Sequence, residues 1–185
     1  MQTPYSSENQ KFSDNAHVVA QKEIYPVLFP RKMKLQSPLQ FTSTSLSMGP
    51  REKIYDGEKA IDRLIQVHSH YFMRPFSFSV QERFRRVKYE PFQDLTVTLW
   101  NDKSSLESEA YKIQAGYFVY GYFDENENTF RSWVLCNTTQ LMYLLTKGKC
   151  FDTQTNHRSD QTFVTVPFDV LRGEGIIVCE KRITA

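Results

Sequence analysis

The sequence contains no run of about 18 apolar residues, the length that would carry a helix across a bilayer. Residues 1–10 are polar and lack the apolar core of a secretory signal, which sets the expectation of a cytoplasmic, intracellular protein with no membrane partner. Cysteine is scarce. Cys136, Cys150 and Cys179 form no C-x-x-C pair and leave one thiol over, a pattern of reduced thiols without a structural zinc site. Neither Cys136 nor Cys150 has a nearby histidine or a family signature, so burial is the plain reading of these thiols. The signatures G-x-x-x-x-G-K-[ST], G-x-G-x-x-G and G-x-S-x-G are missing, which removes P-loop nucleotide enzymes, dinucleotide sites and α/β-hydrolases. A large excess of one charge is missing too: 23 Lys and Arg against 21 Asp and Glu leave +2. An electrostatic argument must therefore rest on where the charges sit.

What the chain does have is aromatic bulk, with 14 Phe, 10 Tyr and 2 Trp in 185 residues. That favours one sheet-containing domain over residues 1–185, large enough to enclose a core without disulfide or metal staples. Residues 1–10 read as a polar tail, and Ser13, Asp14 and Asn15 as caps of a helix over 14–25 that ends at Pro26. The Ser/Thr/Pro-rich stretch 36–50 reads as a loop. Residues 57–67 fit either a helix or a strand. Strands are expected at 76–87, 94–100, 112–123, 130–136, 162–166 and 176–181, with a polar hairpin at 124–128 and a helix capped by Thr138 or Thr139. The fold class is mixed α+β or α/β, a central mixed sheet flanked by helices.

The run Val80-Gln81-Glu82-Arg83-Phe84-Arg85-Arg86-Val87-Lys88 concentrates four cations in a strand-like segment. Period-two alternation puts Gln81, Arg83 and Arg85 on one polar face, while Val80 and Phe84 anchor the other. An amide beside two guanidinium groups suits phosphate. In the run Lys112 to Phe123, Tyr117, Val119 and Gly121 share one face, and Phe118, Tyr120 and Tyr122 the other; Gly121 marks either a close approach or a bulge.

With Ile61-Asp62, 18 intervening residues and Val80-Gln81-Glu82-Arg83, the chain resembles the PD-(D/E)xK (restriction-endonuclease-like) nuclease superfamily. The resemblance follows the order of elements over roughly residues 10–170. It implies magnesium- or manganese-dependent hydrolysis of phosphodiester bonds in DNA, or RNA. Asp62 and Gln81 would be metal ligands, joined by the main-chain carbonyl of Glu82, and Arg83 would be the catalytic cation. Gln81 stands where the superfamily carries an acid, giving one negative charge fewer at the metal. Arg83 stands where it carries lysine and cannot serve as a base.

Arg85, Arg86, Lys88 and Lys112 would then grip flanking phosphates, and Asp94 would pair with Arg83 or Arg85 or support the metal. The rival reading is a catalytically degenerate module that keeps the fold and binds nucleic acid or an acidic protein partner; a homodimer or larger complex is open to both. His17 falls in the leading helix and reads as a partner-bonded structural histidine, although that helix borders the cleft in the resembled fold. His68 and His70 lack a third ligand for a metal clip.

Overall fold

The computed structural model describes residues 7–28, 38–43, 61–69, 74–101, 109–147, 152–156 and 161–182. Helix α1 (Ser7–Glu23) begins a full turn and more before the capping cluster, so the polar tail does not extend past residue 6 and Ser13 lies inside the helix. The early start is held by Phe12, which packs edge-on against Phe123 at 5.8 Å. With Ala16, Val19 and Ala20 it forms one buried stripe at helical spacing. A single 3-10 turn, Tyr25–Leu28, follows.

Two antiparallel strands then pair: β1 (Gln40–Ser43), inside the stretch read as a loop, and β2 (Arg63–Val67), which resolves the helix-or-strand ambiguity in favour of extended chain. The burial of alternate β2 residues supplies the reason, since Arg63, Ile65 and Val67 are buried and Leu64 and Gln66 are not. Residues 44–60 lie outside the described set. Next come β3 (Phe76–Arg86), a 3-10 segment Val87–Phe92, β4 (Asp94–Asn101), the short helix α2 (Glu109–Lys112) and β5 (Tyr117–Asp124). β6 (Thr129–Asn137) returns antiparallel to β5 across the expected hairpin. There Asp124 Oδ1 accepts the N–H groups of Asn126 and Glu127, and Asn128 takes φ 52°.

Helix α3 (Thr138–Thr146) is capped by Asn137, whose side chain accepts the Gln140 N–H at 3.0 Å, rather than by either threonine. β7 (Asp152–Asn156), β8 (Gln161–Pro167), α4 (Phe168–Gly173) and β9 (Ile177–Lys181) complete the described chain. β7 has no apolar alternation to betray it.

The strands form a six-stranded sheet in the order β1-β2-β3-β5-β6-β9 and a three-stranded sheet in the order β4-β8-β7. In the large sheet β3 and β5 run parallel and the other neighbours antiparallel, giving a mixed α+β fold with a mixed central sheet. β3 and β4, consecutive in the chain, belong to different sheets. Period-two alternation in β5 divides the core accordingly. Phe118, Tyr120 and Tyr122 pack with Leu95, Val97, Val164 and Val166 of the small sheet and with Leu141 and Phe168 of the helices behind it. Val119 and Phe123 pack on the other face with the α1 stripe. β3 is thus walled by α1 on one side and by the small sheet on the other.

Candidate functional site

The two faces of β3 carry different chemistry. Gln81, Arg83 and Arg85 are on the odd face, as the alternation requires. The Arg83 guanidinium donates to Thr98 Oγ1 on β4 at 3.2 Å from both terminal nitrogens. Arg85 reaches Asp94 at 3.4 Å and the Tyr120 hydroxyl at 3.3 Å, and stacks 4.3 Å from the centroid of the Tyr89 ring. Burial works against the charge on Arg85, but Tyr120, Asp94 and Tyr122 hold it firmly cationic. Asp94, one of the two roles read for it, is therefore the partner of Arg85; it also accepts from the Tyr122 hydroxyl at 3.0 Å.

The even face is dominated by Glu82, whose side chain has no exposed surface. Its carboxylate takes the Tyr25 hydroxyl proton bond, lies 2.8 Å from Arg63 Nε and 2.5 Å from His17 Nδ1. The histidine contact is close, but it is not in line with the ring N–H. Burial alone would raise the Glu82 pKa; His17, Arg63 and the Tyr25 hydroxyl together hold it below the ordinary carboxylate range. On the same face Arg86 lies 4.7 Å above the Phe12 ring and donates to Asn9, Glu8 and Glu125.

Asp62 lies on neither a helix nor a solvated loop. Its N–H donates to Val80 O at 3.0 Å, continuing the β2–β3 ladder one step, and its Oδ2 accepts the Glu82 N–H at 2.7 Å. A side-chain oxygen thus takes the place of the next ladder carbonyl. Asp62 and the Gln81–Glu82 backbone are therefore brought together. The oxygens read as metal ligands are of the kind magnesium takes, but they bring one full negative charge, because the Glu82 carboxylate is consumed on the α1 side. Among the described residues no group of three or more His, Cys, Asp and Glu side chains is placed to hold a metal ion. His70 and Cys150 lie outside those residues. Cys136 is buried, and burial, helped by Glu180, pushes its thiol up to about 12, which removes thiolate at neutral pH.

A cleft of about 410 Å³ runs along β3 between α1 and the small sheet. Arg83, Arg85 and Arg86 line it, together with Ser13, His17 and Thr98. Among the described residues Glu82 is the one acid in the lining. Asp62, Gln81 and Asp94 do not line it, and neither do Lys88 and Lys112. Lys88 is exposed in the 3-10 segment, its ammonium 5.1 Å from the Tyr89 centroid, and Lys112 ends α2. Reading the sequence missed Ser13, Thr98, Tyr89 and Gln161 as cleft residues. Only Ser13 had a local signal, its four-residue spacing from His17 on one helix face. Comparison of the chain with protein-family models, with curated proteins and with solved structures finds no match.

Proposed function

We propose that the chain binds the sugar–phosphate backbone of nucleic acid, DNA or RNA, in the cleft along β3. The observation that carries this reading is the convergence of Arg83, Arg85 and Arg86 on one cleft in which, among the described residues, the only lining acid, Glu82, is consumed by Arg63, His17 and Tyr25. A cleft with three guanidinium groups, hydroxyls and amides, and aromatic rings at Tyr89 and Phe163, matches repeated phosphates carrying flat bases. Three neutralised phosphates correspond to a slope of log affinity against log salt of about −2 to −3. Arg85→Ala is expected to weaken binding of a fluorescently labelled oligonucleotide about equally for unrelated sequences and to make that slope shallower by about one. Anisotropy titrations at several NaCl concentrations read both quantities; an unchanged slope removes Arg85 from the phosphate contacts.

A second reading, magnesium- or manganese-dependent hydrolysis of the bound strand, is favoured by the Asp62 carboxylate reaching the backbone of β3 beside Gln81. Asp62, Gln81 and the Glu82 carbonyl would hold the ion, which would supply a water activated for attack. Asp62→Asn is the informative variant, because its amide oxygen still accepts the Glu82 N–H while the charge is gone. Nicking of supercoiled plasmid by the native chain with magnesium, reduced at least about 100-fold in Asp62→Asn, is the expected result of this reading. A native chain that binds DNA but leaves the plasmid intact with either metal restricts the function to binding.

A further inference from the structure

Ser13, His17 and Glu82 form a continuous line across the floor of the cleft. Ser13 Oγ lies 3.1 Å from His17 Nε2, and His17 Nδ1 lies 2.5 Å from Glu82 Oε2. All three residues line the cleft. The acid is fully enclosed and the imidazole is 22 % exposed, so the line runs from a buried carboxylate outward to a hydroxyl. That order is the one nucleophilic catalysis needs. The carboxylate 2.5 Å from Nδ1 draws the ring proton to that nitrogen by charge even though the contact is out of line, leaving Nε2 as the acceptor for the hydroxyl hydrogen. Glu82 suits the part because Arg63 and Tyr25 fix its carboxylate from the far side. α1 supplies serine and histidine one turn apart, and β3 supplies the acid, so the sheet and the helix must dock for the line to exist.

We infer that Ser13 is a nucleophile for phosphodiester transfer, with His17 as its general base and Glu82 as the residue that positions the imidazole. The inference rests on the cleft binding a phosphate backbone. In the forward step Ser13 Oγ forms a bond to phosphorus and its proton passes to His17 Nε2. The bond from phosphorus to one sugar oxygen breaks, and that oxygen leaves with the proton from His17. Water then attacks the phosphoserine diester, His17 takes the water proton, and Ser13 Oγ departs with it, so the net change is addition of water across the diester. Arg86, on the α1 side of β3, would meet the charge on the equatorial oxygens, and Arg83 and Arg85, which line the same cleft from the other face, would hold flanking phosphates. Arg86 stacks on Phe12 and donates to Asn9, which stand one residue and one turn before Ser13 on α1. The sequence requires no metal, because proton transfer and charge stabilisation both come from side chains.

The test uses the full chain with an oligonucleotide carrying a single bridging phosphorothiolate, either 3′ or 5′, in EDTA. Sulfur leaves readily and re-attacks poorly, so the serine adduct accumulates. A covalent adduct, mapped by mass spectrometry to Ser13 and absent in Ser13→Ala, is expected. His17→Ala is expected to slow its formation at least 100-fold, and added imidazole to restore part of the rate, which a structural role for His17 would not produce. Because Glu82→Gln disturbs a buried cluster, it is compared with Glu82→Asp in samples shown to be folded by circular dichroism; recovery of the rate with the carboxylate is expected. Binding of the oligonucleotide without an adduct, or an adduct on another residue, overturns the nucleophile and leaves the binding reading in place. Neither binding nor adduct overturns both.

Discussion

Glu82→Ala is expected to lower the unfolding free energy by about 3–5 kcal/mol, because it strips the carboxylate from a buried cluster and leaves Arg63 and the Tyr25 hydroxyl enclosed without it. Arg63 is only 9 % exposed and Tyr25 fully buried, so neither recovers full hydration in the folded variant. For a chain of this size the loss corresponds to a fall of roughly 6–20 °C in melting temperature. The same cluster fixes a pH dependence. The pKa of Glu82 is lower folded than the 4.5 of a free glutamate, so the unfolded chain binds the proton more readily. The stabilisation is therefore complete above about pH 4.5 and is lost as the pH falls through the folded value. Urea midpoints between pH 7 and pH 3 should drop more steeply for the native chain than for Glu82→Gln, which cannot take up that proton. Equal slopes would place the acid sensitivity elsewhere.

Phe130→Ala is expected to cost about 3–5 kcal/mol, since this fully buried ring lies 4.9 Å from Phe84 and 5.1 Å from Phe123 and closes the core under α1. Its relation to Gly121 supplies a sharper test. A Cβ on Gly121 would stand 2.9 and 3.0 Å from two Phe130 ring carbons and 3.2 Å from Trp133 Cβ. Gly121→Ala alone should therefore cost about 1–3 kcal/mol by overpacking. In the Phe130→Ala background the ring is gone and the new methyl fills part of the space, so the second change should cost less than about 1 kcal/mol, or even stabilise. A double-mutant cycle by chemical denaturation measures the coupling; strictly additive costs would show that the ring and the glycine do not share that space.

The Phe130–Gly121 contact shows where local reading stops. Alternation in 117–123 assigned Phe118, Tyr120 and Tyr122 to one face and Val119 to the other, and the two cores divide along that line. Of close approach and bulge, the structure shows the approach, by a ring from β6. The backbone register of β5 against β6 does shift, between Tyr122 and Phe123. β3 was legible for the same reason as β5, because a strand with one face in a core repeats every second residue. β1 and β7 were not, since Gln40–Ser43 and Asp152–Asn156 are short polar strands whose pairing comes from neighbours distant in sequence. The onset of α1 was hidden because one aromatic residue, Phe12, anchors its first half.

The residues of the site divide in the same way. The cationic face of β3 followed from its period, and the proximity of Asp62 to Gln81 was what the resemblance implied. The enclosure of the Glu82 carboxylate did not, because it depends on Tyr25, Arg63 and His17 arriving from three separate elements.

By itself the sequence determined the mixed α+β class, the alternation of β3 and β5, the hairpin at residues 124–128 and the cationic character of one strand face, all set by residues within a few positions of each other. Tertiary structure alone decided that β4 leaves the sheet of β3 to face it, and that α1 lays Ser13 and His17 over Glu82. Those outcomes turn on which apolar surfaces meet, and burial of one surface against another is a property of the whole chain rather than of any window along it.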